Sequence, residues 1–181
     1  MKKIILAVAI ICATMYAGAA SVGWSHAGLG NYAGDSYYVF VVGQNGVANI
    51  ATVTALLDAG ENFSSYVFGN GKVAANGFAN VGVSSSGKTL DAGTYTAFTI
   101  VFNSAAPTAG ESQYLLISGR SGQTKTVGPT TAAVSFGTGN VASLANDAAN
   151  WKDYGAAVPE PTSAMLLVLG VAALALRRKQ K

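Results

Sequence analysis

The stretch Thr94 to Asn103, TYTAFTIVFN, limits the fold more than any other part of this 181-residue chain. Successive residues of an extended strand point to opposite faces, so Thr96, Phe98, Ile100 and Phe102 share one face and Tyr95, Ala97, Thr99 and Val101 the other. Both faces are largely apolar, the pattern of a strand in the middle of a sheet rather than at its rim.

The rest of residues 21–157 agrees with a β reading. It is rich in Gly, Ala, Ser, Thr, Asn and Val and poor in charge, which favours short strands joined by tight turns. Further strands are predicted over Tyr37–Val42, Val47–Thr54, Phe78–Ser84, Gln113–Ser118, Thr124–Val127 and Ala132–Phe136. Ala106 to Gly110 form the connection before Gln113. Asn45-Gly46, Asn70-Gly71 and Asn76-Gly77 read as turns, because both residue types tolerate positive φ; Ser84 to Gly87 reads as a loop. Helix signals are thin. Thr54 to Asp58, stopping near Gly60, suits a short helix, and Ser143 suits the cap of a turn running to Ala149. The fold class expected is all-β: a single β-sandwich-like domain with one or two short helices.

Asp91-Ala92-Gly93-Thr94-Tyr95 resembles the Asp-x-Gly-x-Tyr corner of immunoglobulin-type sandwiches, which implies a Tyr95 hydroxyl tied back to the chain. Ala97 stands where those domains carry a cysteine. The alternative is an ordinary turn before a strand, and either role is structural.

The two ends have a different character. Residues 1–20 read as a signal peptide: Lys2-Lys3, an apolar run from Ile4 to Cys12, and small residues Ala17, Gly18, Ala19 and Ala20 where a signal peptidase would cut, after Ala19 or Ala20. The apolar run is shorter than the roughly twenty residues of a membrane span. Cys12, the one cysteine, lies inside this segment behind Ile11 and not behind the small residue that lipid attachment wants. The exported body therefore has neither disulfide nor thiolate, and its stability must come from packing.

Residues 158–181 begin with Val158-Pro159-Glu160-Pro161. The prolines lack amide donors and hold their predecessors extended. Ala164 to Leu176 is then an uninterrupted apolar run, which as a helix covers about 20 Å of a bilayer core of about 30 Å. Arg177, Arg178 and Lys179 follow, placing the end of the chain in the cytoplasm and the body outside. Motif, apolar helix and basic end, in that order, resemble the PEP-CTERM sorting signal of bacterial surface proteins. The resemblance implies a substrate of exosortase, a membrane-embedded cysteine transpeptidase, with Pro159, Glu160 and Pro161 as the recognition element, residues 164–176 as a transient transmembrane anchor and the arginines as the stop. The implied route is an inner-membrane precursor that ends at the cell surface or outside it. The same tail occurs on some proteins described as ice-binding, a description that belongs to the tail's company and not to this body.

Chemistry is sparse in between. The body holds five basic against seven acidic residues, so it lacks the basic stripe a nucleic-acid binder needs. His26, the one histidine, lies close to the new N-terminus, where chains fray, and reads as a surface or lightly packed residue; a Ser-His-Asp triad would need it. One histidine without cysteine does not make a typical zinc site. The carboxylates are scattered, which disfavours a glycosidase without excluding convergence in space. Asn146-Asp147 and Asp153 read as capping and turn residues in preference to calcium ligands, and Gly119-Arg120-Ser121-Gly122 as a turn. No cofactor or metal is expected. Trp24, Tyr32, Tyr37, Tyr38, Trp151 and Tyr154 gather near the two ends of the body, and Trp24 and Trp151 are the candidate glycan contacts. Their bland role is to close the core where the termini meet. The expected function is a noncatalytic structural or matrix component of the cell surface or extracellular polysaccharide; a carbohydrate-binding module is the alternative and a glycosidase-like enzyme the third reading.

Overall fold

The computed structural model describes residues 19–43 and 49–155. Residues 1–18 of the expected signal segment, the sorting tail and the Asn45-Gly46 pair lie outside the described residues.

Among the described residues, ten strands form two sheets. In the four-stranded sheet, β1 (Ala20–Ala27) is central. One edge of β1 is paired antiparallel, in succession, by β5 (Thr89–Leu90) and β4 (Ala79–Val81). The other is paired parallel by β9 (Ala133–Asn140). In the six-stranded sheet the centre is β6 (Gly93–Phe102), the strand that the alternation pattern singled out. On one side lie β2 (Ser36–Val42) and then β3 (Gly69–Lys72). β8 (Thr124–Val127) pairs with the first half of β6 and β7 (Gln113–Ile117) with the second, and β10 (Trp151–Asp153) closes the far edge against β7.

The two sheets enclose one apolar cluster, built from Val22, Trp24 and Phe136 of the smaller sheet and Tyr37, Val39, Val101, Leu115 and Ile117 of the larger. The outer face of the larger sheet is not left to solvent. A helix, α1 (Ile50–Ala59), lies over it and buries Val53 and Leu57 against Phe40, Phe98, Ile100 and Phe102. This explains why β6 is apolar on both faces: one faces the other sheet, the other a helix.

α1 corrects the strand expected over Val47–Thr54 and extends the short helix expected from Thr54. β-branched residues favour strands only weakly, and here the caps decide. The Asn49 side chain accepts from the Thr52 amide at 2.8 Å, and Gly60 takes a left-handed conformation (φ 69°) with its amide bonded to Leu56 and Leu57. Asn70-Gly71, read as a turn, sits inside β3. The reason is room: a Cβ on Gly69 would come within 2.3 Å of the Trp24 ring, and one on Gly71 within 2.6 Å of the Tyr37 hydroxyl oxygen.

Smaller corrections follow the same logic. β4 is shorter than Phe78–Ser84. The helix α2 (Ala142–Ala145) takes its N-terminal hydrogen bond from Asn140, whose Oδ1 accepts from Ala142 N, so Ser143 lies within the helix and caps nothing. Among the described residues the Tyr95 hydroxyl makes no tie back to the chain; its ring packs over Gly93 and Gly43 instead. The Asn76-Gly77 turn forms as expected, with Gly77 N donating to Ala74 O.

Candidate functional site

His26 is neither frayed nor at the surface. It lies on the inward face of β1 and is 1% exposed, which corrects the surface reading. Its Nδ1 is 2.7 Å from Thr138 Oγ1 on β9, and its Nε2 is 2.7 Å from Thr99 Oγ1 on β6 of the opposite sheet. A neutral imidazole carries one donor and one acceptor, and a threonine hydroxyl serves either role, so one threonine donates and the other accepts whichever tautomer is present. The register of β1 against β9 slips at this point: Ser25 faces Gly137 but His26 faces Gly139, leaving Thr138 as the extra residue of a bulge beside the imidazole. Burial lowers the His26 pKa to about 4. At neutral pH this histidine is an uncharged brace between the sheets.

Trp24 and Trp151 do not come together. Trp24 is 3% exposed in the core, where its Nε1 donates to the Tyr37 hydroxyl at 3.3 Å and its ring meets Phe68 edge-on. Only its rim reaches a surface groove. Trp151 is half-buried on β10, with its ring centroid 4.6 Å from that of Tyr32. Both Trp151 Nε1 and the Tyr32 hydroxyl donate to the Ala145 carbonyl. This pair borders a cavity of about 180 Å³ with Asn103, Gln113 and Asn146. Tyr38 and Tyr154, the remaining aromatics of that set, pack against Phe102 on the helix-covered face.

A larger opening lies over β3 and was not foreseen. A groove of about 400 Å³ is lined by Trp24, Tyr38, Phe68, Asn70 and Lys88 among others. A second of about 300 Å³ continues from it, with Tyr38 and Asn70 as the shared wall and Lys72 on its far side. Lys88 Nζ stands 5.9 Å from the centre of the Phe68 ring. Lys72 Nζ donates to Ser36 Oγ at 2.7 Å and also to the Ala105 carbonyl. Sequence offered no signal for this trough, because Tyr38, Asn70 and Lys88 are brought together from three separate segments and Asn70 read as a turn residue.

Several carboxylates have visible local duties. Asp58 accepts from the Tyr114 hydroxyl at 2.6 Å, and burial followed by the Asp58 contact raises the Tyr114 pKa well above its ordinary value. Asp147 caps the 3-10 turn at Ala148–Asn150, and Asp153 accepts from Gln113. Asn146 accepts from Asn31. The capping reading of Asp147 therefore matches the structure. Among the described residues, no three His, Cys, Asp or Glu side chains converge in a way that would hold a metal.

Of the sorting and processing residues, only Ala19 and Ala20 are described. Ala19 is exposed, whereas Ala20 opens β1, is fully buried and pairs with Leu90. Ala17, Val158, Pro159, Glu160, Pro161, Arg177, Arg178 and Lys179 lie outside the described residues. Among the described residues no helix is long and apolar enough to cross a membrane.

An all-β body joined to a tail of Pro-Glu-Pro, apolar run and basic end defines a class: an exported protein with a carboxy-terminal sorting signal. Residues 157–179 match the PEP-CTERM protein-sorting motif, so this is a PEP-CTERM sorting domain-containing protein, exported, processed by exosortase at the membrane and destined for the cell surface. Neither a curated protein nor a solved structure matches the chain.

Proposed function

We propose that the body is a noncatalytic component of the cell surface or of its extracellular polysaccharide, delivered there by the tail. The observation that carries this reading is the use made of His26. The one imidazole available for proton transfer is enclosed between Thr99 and Thr138 and is held neutral well below physiological pH. Such a group braces two sheets and does not reach a substrate. The test is to incubate the exported protein with the polysaccharide of its own surface and follow both sedimentation with the polymer and release of new reducing ends. Retention with an unchanged count of reducing ends is expected; a rising count overturns the reading.

On the route itself, signal peptidase cuts after Ala19 or Ala20; the place of Ala20 as the buried first residue of β1 favours the cut after Ala19, which keeps that residue in the body. Residues 164–176 hold the precursor in the inner membrane, with Arg177, Arg178 and Lys179 on the cytoplasmic side.

A carbohydrate-binding module is the second reading, favoured by the Tyr32 and Trp151 rings beside the amides of Asn103, Gln113 and Asn146. A glycan pull-down in which Trp151→Ala behaves like the parent protein would remove that site from consideration.

A further inference from the structure

We infer that the trough over β3 is a binding site for an acidic polysaccharide chain, entered between Lys88 and Lys72 and crossed at Tyr38 and Asn70. The inference rests on the noncatalytic, surface-matrix reading and names the ligand chemistry that reading lacks.

Shape is the first argument. The two cavities, about 400 and 300 Å³, each fall in the range of small-ligand sites. They share a wall and open to solvent, and so form a track in place of a closed pocket. A track suits a linear polymer that runs through and beyond the protein.

Charge is the second. The body has five basic residues and seven acidic ones, yet the lining of the trough includes two of the lysines and none of the carboxylates. Asp35, which feels the Lys72 charge, does not line it. Lys72 is held by Ser36 and the Ala105 carbonyl, and Lys88 rests near the Phe68 ring. Both ammonium groups are thus positioned before a ligand arrives, which lowers the ordering cost of binding.

Hydrogen-bonding chemistry is the third. Exposed Asn70 and Ser64 supply an amide and a hydroxyl between the charges, and the Tyr38 and Phe68 rings supply apolar wall. Alternating hydroxyls, apolar C–H surfaces and carboxylates are what a uronate polymer presents. A nucleic acid would need a longer run of cations than the two lysines here.

The test uses the exported protein recovered from its host, with polygalacturonate as the acidic probe and its methyl-esterified form as the uncharged control. The acidic probe is expected to bind at least about tenfold more tightly than the ester. Lys88→Gln, a change at an exposed side chain, is expected to weaken it by about fivefold, and Lys72→Gln with Lys88→Gln by more than about tenfold. Lys125→Gln with Lys152→Gln removes equal charge elsewhere and should leave affinity within about twofold. Equal losses in the two double variants, absence of preference for the acidic probe, or equal displacement by an oligothymidylate would each overturn the inference. Probe length is measured in the same samples. Shortened polymer overturns the noncatalytic reading and leaves the trough standing, whereas unbound polymer of full length overturns the trough and leaves that reading intact.

Discussion

His26 joins β1, β6 and β9 through two threonine hydroxyls, and this makes stability depend on pH in a stated direction. The folded pKa is lowered to about 4 from an ordinary 6.5. An unfolded chain therefore takes up a proton that the folded one resists. The stabilisation is full above pH 6.5 and is lost as pH falls through about 4, by about 3 kcal/mol in all. Thermal melts between pH 7 and 4 should show a falling midpoint, and His26→Gln should flatten that part of the profile. His26→Ala should cost about 2–4 kcal/mol at pH 7, since it leaves both Thr99 and Thr138 hydroxyls buried without their partner. A variant as stable as the parent at pH 7 would show that the brace contributes nothing. None of this was legible in sequence. A lone histidine six residues into the body reads as loose, and its burial depends on threonines 73 and 112 positions away.

Among the elements, β6, β2, β7, β8 and β9 were recognisable because a strand with one covered face writes an alternating pattern into its sequence and a strand with two a continuous apolar one. β1 and β3 were not. β1 is masked by its proximity to the signal segment, and β3 reads Gly-Asn-Gly, which has turn chemistry. The glycines are there for two rings of the core. Gly69→Ala is expected to cost about 1–3 kcal/mol by driving a methyl into Trp24, measured as a shift of the urea midpoint. An unchanged midpoint would show that Trp24 yields. α1 was half legible: Gly60 marked its end, while Val53 and Thr54 pulled its beginning toward a strand. Leu57→Ala should cost about 2–5 kcal/mol, because Leu57 is fully buried beneath the helix against the phenylalanine cluster. A loss below about 1 kcal/mol would contradict that packing.

For the molecule as a whole, the informative quantity is the mass of the protein at its destination. The exported form is expected to begin at Ala20 and end near Pro159, and replacement of Pro159-Glu160-Pro161 by alanines is expected to leave the tail attached. Intact mass spectrometry of both forms checks this. A native mass that still includes Ala164 to Lys181 would make the tail a plain anchor. A sorting signal is read by an enzyme as a short linear stretch, so its chemistry is complete in the residue order, Pro-Glu-Pro, an apolar run and a basic end, and the signal peptide expected at the front would be read the same way. The strand pattern of β6 is likewise local, because it records which faces are covered without saying by what. What covers them is non-local. Helix α1 on one face, the smaller sheet on the other, the burial of His26, the glycines beneath Trp24 and Tyr37, and the trough between Lys72 and Lys88 all arise from segments far apart in the chain. Their contacts exist only once the sheets have packed, and pairings across such separations leave no periodicity in the sequence.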